Sequence, residues 1–261
     1  MKQTIPFSML FLLLFWFSYA CNSKVTGRSN RPSDPGFTRD TASWYDASRN
    51  RMIPVAIYKP AVQRAASLKP VIINHGYGSN KGGDYLQYSY LAEALAMHGY
   101  YVLSIQHELP SDSLMPATGI PQVVRKPFWE RGVENIRYAI GQLNKKEPLL
   151  DFTKLTLIGH SNGGDMTALF PQKYPGLIAA MITLDNRRMA LPRTRNPRVF
   201  TLRSSDQPAD EGVLPGTAEQ QQYGIRIIKL RNTIHNDMDD SGNSHQRKEI
   251  IAYVLEFLGT L

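Results

Sequence analysis

The chain has 261 residues, with 30 Lys and Arg against 22 Asp and Glu for a formal net charge of +8, and is 42% hydrophobic and 20% charged with 19 Gly and 17 Pro. This composition excludes a collagen-like or disordered polymer, and at this length an α/β sheet can bury a single core without disulfide or metal staples. The single cysteine excludes a disulfide framework and a multi-cysteine zinc or iron–sulfur site.

At the amino end, Lys2 precedes an unbroken apolar run from Met9 to Phe17, followed by Ser18-Tyr19-Ala20 and Cys21. Nine apolar residues are too few to span a bilayer, which takes about 20, and match the core of an export signal. Residues 1–20 therefore read as a signal peptide cleaved before Cys21. A cysteine at that point resembles the lipobox of bacterial lipoproteins, which implies lipidation of Cys21 and a membrane-anchored protein in the periplasm or on the cell surface. Plain secretion is the alternative. Residues 21–37, rich in Ser, Asn, Pro and Gly, read as a flexible tether.

From residue 38 to 261 the pattern is that of one α/β domain. Apolar or β-branched runs recur at Val55–Tyr58, Val71–Asn74, Tyr100–Ile105, Leu155–Ile158, Ala179–Leu184, Val199–Leu202 and Ile225–Leu230. Continuous runs of this length fit strands covered on both faces. Helical spacing appears between them, as at Leu91, Ala94 and Leu95, at Val133, Ile136, Ile140 and Leu143, and at Ile251, Val254, Leu255 and Leu258. The alternation predicts a mostly parallel sheet of the eight-stranded type with helices on both faces. The early segment Thr41–Pro60 has no helix after it and predicts an antiparallel hairpin at the sheet edge. Only 23 residues separate His107 from Arg131, which leaves no room for a large cap domain.

In such a sheet the chemistry collects at the carboxyl ends of the strands. There the chain reads Gly159-His160-Ser161-Asn162-Gly163-Gly164, a G-x-S-x-G turn between a strand and a helix. That context exposes the serine hydroxyl on a strained elbow, with the positive end of the helix directed at it. A serine needs a base to become a nucleophile. Of six histidines, His75, His98, His107, His160 and His245 sit at loop or helix-end positions with simpler structural roles. His235, between the last strand and the last helix, is the predicted base. For the carboxylate that orients it, Asp206 after Val199–Leu202 is the first choice and Asp185 after Ala179–Leu184 the competitor. The backbone amides of Asn162 and Tyr77, the latter in the glycine-rich loop His75-Gly76-Tyr77-Gly78, are the predicted oxyanion donors.

Through His75-Gly76-Tyr77-Gly78, the serine elbow, Asp206 and His235, the chain resembles the α/β-hydrolase superfamily over nearly everything from Thr41 to Leu261. The stretch from Asp46 to Pro60 resembles the opening of bacterial relatives of platelet-activating-factor acetylhydrolase and of dienelactone-hydrolase-like esterases. The resemblance implies hydrolysis of small carboxylic esters through an acyl-enzyme, with no cofactor and no metal. A peptidase or amidase on the same fold, and a surface lipoprotein that binds a ligand without chemistry, are the alternatives.

Specificity is assigned to the long segment between His107 and Arg131, with His107, Phe128 and Trp129 as candidate substrate-binding residues. Two other features receive plainer readings. Asp237–Gly242 opens like a calcium loop, but its twelfth place is Lys248 where such a loop needs Glu. The six arginines from Arg187 to Arg203 read as a solvated surface with some structural pairs, and nothing in the chain reads as a nucleic-acid module. The sequence leaves the oligomeric state open.

Overall fold

The computed structural model describes residues 36–62 and 67–261. The expectations for the leader, Cys21 and most of the tether fall outside the described residues. Strands β1 (Phe37–Asp46) and β2 (Arg51–Pro60) form the edge hairpin, paired antiparallel from Phe37↔Pro60 to Asp46↔Arg51. Its turn is built by Asp46, whose carboxylate accepts from the amide and hydroxyl of Ser48 and from Nε of Arg49. These bonds outweigh the opposing effect of burial and hold the Asp46 carboxyl below the usual range.

Then follow β3 (Lys69–Asn74), α1 (Ser89–Met97), β4 (Tyr100–Ile105), the single turn α2 (Pro121–Val124), α3 (Lys126–Lys146), β5 (Thr156–His160) and α4 (Ser161–Lys173). The chain closes with β6 (Ala180–Leu184), β7 (Arg198–Arg203), α5 (Thr217–Tyr223), β8 (Arg226–Lys229) and α6 (Ser244–Gly259). The sheet has eight strands in the order β1-β2-β4-β3-β5-β6-β7-β8, antiparallel at β1/β2 and β2/β4 and parallel elsewhere.

Because successive strand side chains point to opposite faces, one continuous apolar run feeds two cores. In β3, Ile72 packs with Trp129, Val133 and Ile136 of α3 and with Met166 and Phe170 of α4. Its neighbours Val71 and Ile73 join Leu91 and Leu95 of α1 and Val254 and Phe257 of α6 on the other face. Each such fully buried side chain contributes roughly 1.5–3 kcal/mol of transfer free energy. Among the described residues no inserted domain interrupts the sheet, and no helix is long and apolar enough to cross a membrane. One expectation shifts: the segment after His107 is irregular only to about residue 120, and Phe128 and Trp129 lie in the first turn of α3.

The packing of α3 on α4 depends on Gly132. A Cβ there would lie 2.2 Å from Sδ of Met166, whereas a Cβ at Gly141 of the same helix meets nothing within 4 Å. Gly141→Ala is expected to stabilise by about 0.5–1 kcal/mol through helix propensity. Gly132→Ala is expected to destabilise by roughly 1–3 kcal/mol by overpacking that outweighs the same propensity gain. Urea midpoints of the two variants test this, and equal shifts of the same sign would contradict it.

Candidate active site

The parallel strands deliver Asn74, Ile105, His160, Leu184 and Arg203 to one edge of the sheet, and the polar side chains that matter follow directly. Ser161 is the first residue of α4 and has φ +50°, a left-handed conformation that costs about 1–2 kcal/mol for a residue with a Cβ. The turn is possible because its neighbours are glycines. A Cβ at Gly159 would lie 2.3 Å from the Gly163 carbonyl oxygen, and one at Gly163 would lie 2.2 Å from that of Asn74.

Ser161 Oγ is 2.9 Å from Nε2 of His235, and Nδ1 of His235 is 2.6 Å from Oδ2 of Asp185. The carboxylate that faces the ring is therefore Asp185, which corrects the preference for Asp206. Asp206 is exposed, and its Oδ1 instead accepts from the backbone N–H of His235 at 2.8 Å. Strand adjacency favours Asp206, because β7 neighbours β8 and β6 does not, and local backbone geometry overrides it. Asp185 leaves β6 at φ +57°, turning its carboxylate under the imidazole.

Asp185 is completely buried. Burial pushes its pKa up, but the hydrogen bond to His235, the charge of Arg203 at 2.9 Å, and the amide and hydroxyl of Ser204 at 3.0 and 2.7 Å prevail and hold it below the ordinary range. An ionised Asp185 can only accept, so the proton of the His235 ring sits on Nδ1. The lone pair of Nε2 then faces the serine hydroxyl.

His235 is gripped through its main chain as well. Its carbonyl accepts from Nε2 of His160 at 3.1 Å, and the two rings lie 4.7 Å apart. Nδ1 of His160 in turn accepts from the Tyr88 hydroxyl at 2.7 Å, which itself accepts from the Gly76 amide at 3.1 Å. Complete burial, with a smaller contribution from His235, brings the pKa of His160 down to about 3, so it stays neutral and keeps this donor pattern. Sequence reasoning took His160 for a packing residue and missed Tyr88; the bulk of a ring next to the nucleophile was the only signal available.

The glycine-rich loop runs against the serine. A Cβ at Gly76 would be 3.4 Å from Cβ of Ser161. With the Gly76 amide spent on Tyr88, Tyr77 carries the next amide of the loop, while Asn162, second in α4, has an N–H that no preceding helical turn can accept. The Tyr77 hydroxyl accepts from the Met115 amide at 2.9 Å.

The candidate substrate-binding residues separate. His107 is 1% exposed, its Nε2 bonded to Oδ1 of Asn74 at 3.1 Å and its pKa driven well down by burial. Trp129 is fully buried and donates from Nε1 to Oδ1 of Asn162 at 2.8 Å. Both are therefore internal supports, contrary to expectation, because a residue at a strand end or on the inner face of a helix is taken up by the core. Phe128 is half-buried with the Arg131 guanidinium 5.3 Å over its ring.

The loop they were drawn from is firmly tied. Asp112 takes two bonds from Arg51 at 2.8 and 2.7 Å and one from the Leu109 amide at 2.8 Å. Nδ2 of Asn80 donates to the carbonyls of Asp112 and Ser113. Among the described residues no cluster of three or more His, Cys, Asp or Glu is arranged to hold a metal ion. Most arginines of the 187–203 stretch are paired structurally, as Arg188 with Asp210 and Arg193 with Glu219.

No protein-family model matches the chain, and no curated protein matches it in sequence. Solved structures do. A dienelactone hydrolase-like promiscuous phosphotriesterase from metagenomic libraries superimposes with a TM-score of 0.62 at 13% identity, over 87% of this chain and 99% of that one. Esterase Est22 gives 0.61 at 13% identity, over 86% and 82% of the two chains, and a bacterial heroin esterase gives 0.59 at 14%, over 85% and 84%. With the strand order and the serine elbow, these similarities define the α/β-hydrolase fold. The expected likeness to dienelactone-hydrolase-like proteins is met at the level of fold.

The two acids give different expected outcomes. Asp185→Asn should lower kcat by about a thousandfold or more by releasing the imidazole tautomer. Asp206→Asn keeps an oxygen for the His235 amide and should cost less than about tenfold. Steady-state kinetics on a chromogenic ester decide, and equal losses would refute the assignment. Because the Asp185 pKa is lowered by folding, its stabilising contribution is full above about pH 4 and fades as pH falls through the folded value. Acid unfolding of Asp185→Asn should show a correspondingly shallower loss.

Proposed function

We propose that this protein is a serine hydrolase of small carboxylic esters. The observation that carries the reading is the chain of two short hydrogen bonds from Ser161 through His235 to Asp185, built on a strained elbow. Ser161 attacks the ester carbonyl while Nε2 of His235 takes its proton, and Asp185 steadies the imidazolium that results. The amides of Asn162 and Tyr77 receive the oxyanion. Collapse of the tetrahedral intermediate expels the alcohol, protonated by His235, and leaves an acyl-serine. Water then attacks with His235 again as base, and the acid departs. The fold neighbours described as esterases support the same chemistry.

The amino-terminal pattern places this chemistry, in our reading, on an exported protein anchored through a lipidated Cys21. Labelled fatty acid should be incorporated by the wild type expressed in bacteria and not by Cys21→Ser. Equal labelling of the two would refute the anchor. For the chemistry itself, Ser161→Ala should abolish turnover of p-nitrophenyl acetate and labelling by a fluorophosphonate, with an unchanged far-ultraviolet circular dichroism spectrum. Retained turnover would overturn the assignment.

A further inference from the structure

A buried acid that the mechanism does not use lies beside the oxyanion amides. Glu108 follows the end of β4 by three residues and is 1% exposed. Its Oε1 accepts from Nδ2 of Asn162 at 3.0 Å, while Oδ1 of Asn162 accepts from Nε1 of Trp129 at 2.8 Å. The side chain of the residue after Ser161 is thus gripped at both ends by groups that never meet solvent.

The second oxygen of Glu108, Oε2, is buried without a hydrogen-bond partner. The nearest ring nitrogen, Nε2 of His75, is 3.9 Å away and already accepts from the His107 amide at 2.8 Å. It therefore holds no proton to give, and Nδ1 of His75 donates to the Gly76 carbonyl at 2.6 Å. The charged groups that face Glu108 are Arg131 on α3, Asp84 in the turn before α1, and Asp112. An ionised carboxylate here would be a buried charge with one neutral amide donor, which is strongly disfavoured. It would also oppose the negative charge that develops at the Asn162 N–H during attack. Burial accordingly pushes Glu108 above the ordinary carboxylate range, with the charge of Arg131 offsetting part of the effect.

We propose that Glu108 is the positioning residue that sets Asn162 and with it the oxyanion amide, with Trp129 fixing the opposite end of the same side chain. The proposal rests on the serine-hydrolase reading.

The test is steady-state hydrolysis of p-nitrophenyl acetate by the full chain and its Glu108→Gln, Glu108→Ala and Trp129→Phe variants, with thermal midpoints measured alongside. Gln keeps the shape and an oxygen toward Asn162 Nδ2, so Glu108→Gln should retain kcat within about threefold. Glu108→Ala frees the amide and should lose roughly 10- to 100-fold in kcat with KM little changed, the signature of misplacement in the transition state. Trp129→Phe keeps most of the ring packing and removes only the donor, so it should lose kcat by about three- to tenfold at constant KM.

Unchanged kcat in Trp129→Phe or in Glu108→Ala, or a loss in Glu108→Gln as deep as in Glu108→Ala, would overturn the proposal. Wild-type turnover and its dependence on Ser161 are measured in the same series. Failure of the underlying reading then shows as an inactive parent, and failure of the clamp as unaffected variants.

Discussion

The site depends on where the main chain of His235 is held. His235 opens a short 3-10 turn, and its buried imidazole packs against the ring of His160. The orientation of its ring rests on fixing both the ring and the backbone that carries it. Asp206 holds the amide, His160 the carbonyl, and Asp185 the ring, so three separate strand ends converge on one residue. Each contact is local and modest, worth on the order of 1 kcal/mol, or up to about 3 where a charge is involved. Together they leave the ring little freedom other than the orientation that meets Ser161.

These supports explain why so many polar groups are buried where the strands end. Asn74, His75, Ser104, Gln106, His107 and Asn186 are nearly inaccessible, in a region where apolar residues would give a more stable core. Their bonds run between elements more often than within them. Asn74 joins the Ile158 carbonyl, Thr167 of α4 and His107, and Asn186 links Thr183 to the chain that follows Asp185. Asp165 belongs to the same set: it takes the amides of Arg188 and Met189, and burial raises its pKa to about 6 despite them. The polar layer trades stability for a fixed geometry around the serine.

Much of this was legible in the amino-acid sequence, and the limits have physical causes. The strands and helices carried strong periodicity, and Gly159 and Gly163 marked the elbow because no other residue fits such close backbone approach. The choice between Asp185 and Asp206 was not legible. Both follow neighbouring strands, and only the left-handed turn at Asp185 and the donors Arg203 and Ser204 separate them. His107 and Trp129 failed as substrate contacts for a related reason: sequence position locates a residue near a site but not on its inner or outer side. Glu108 and Tyr88 gave no pattern at all, because their importance lies in bonds to residues distant in the chain.

The tie between the segment after β4 and the body has an entropic consequence. Arg51, Asn80 and Tyr77 anchor that segment at Asp112, Ser113 and Met115 before anything binds. A segment already held in place has little conformational entropy left to lose, so any molecule that meets it need not supply binding energy to organise it.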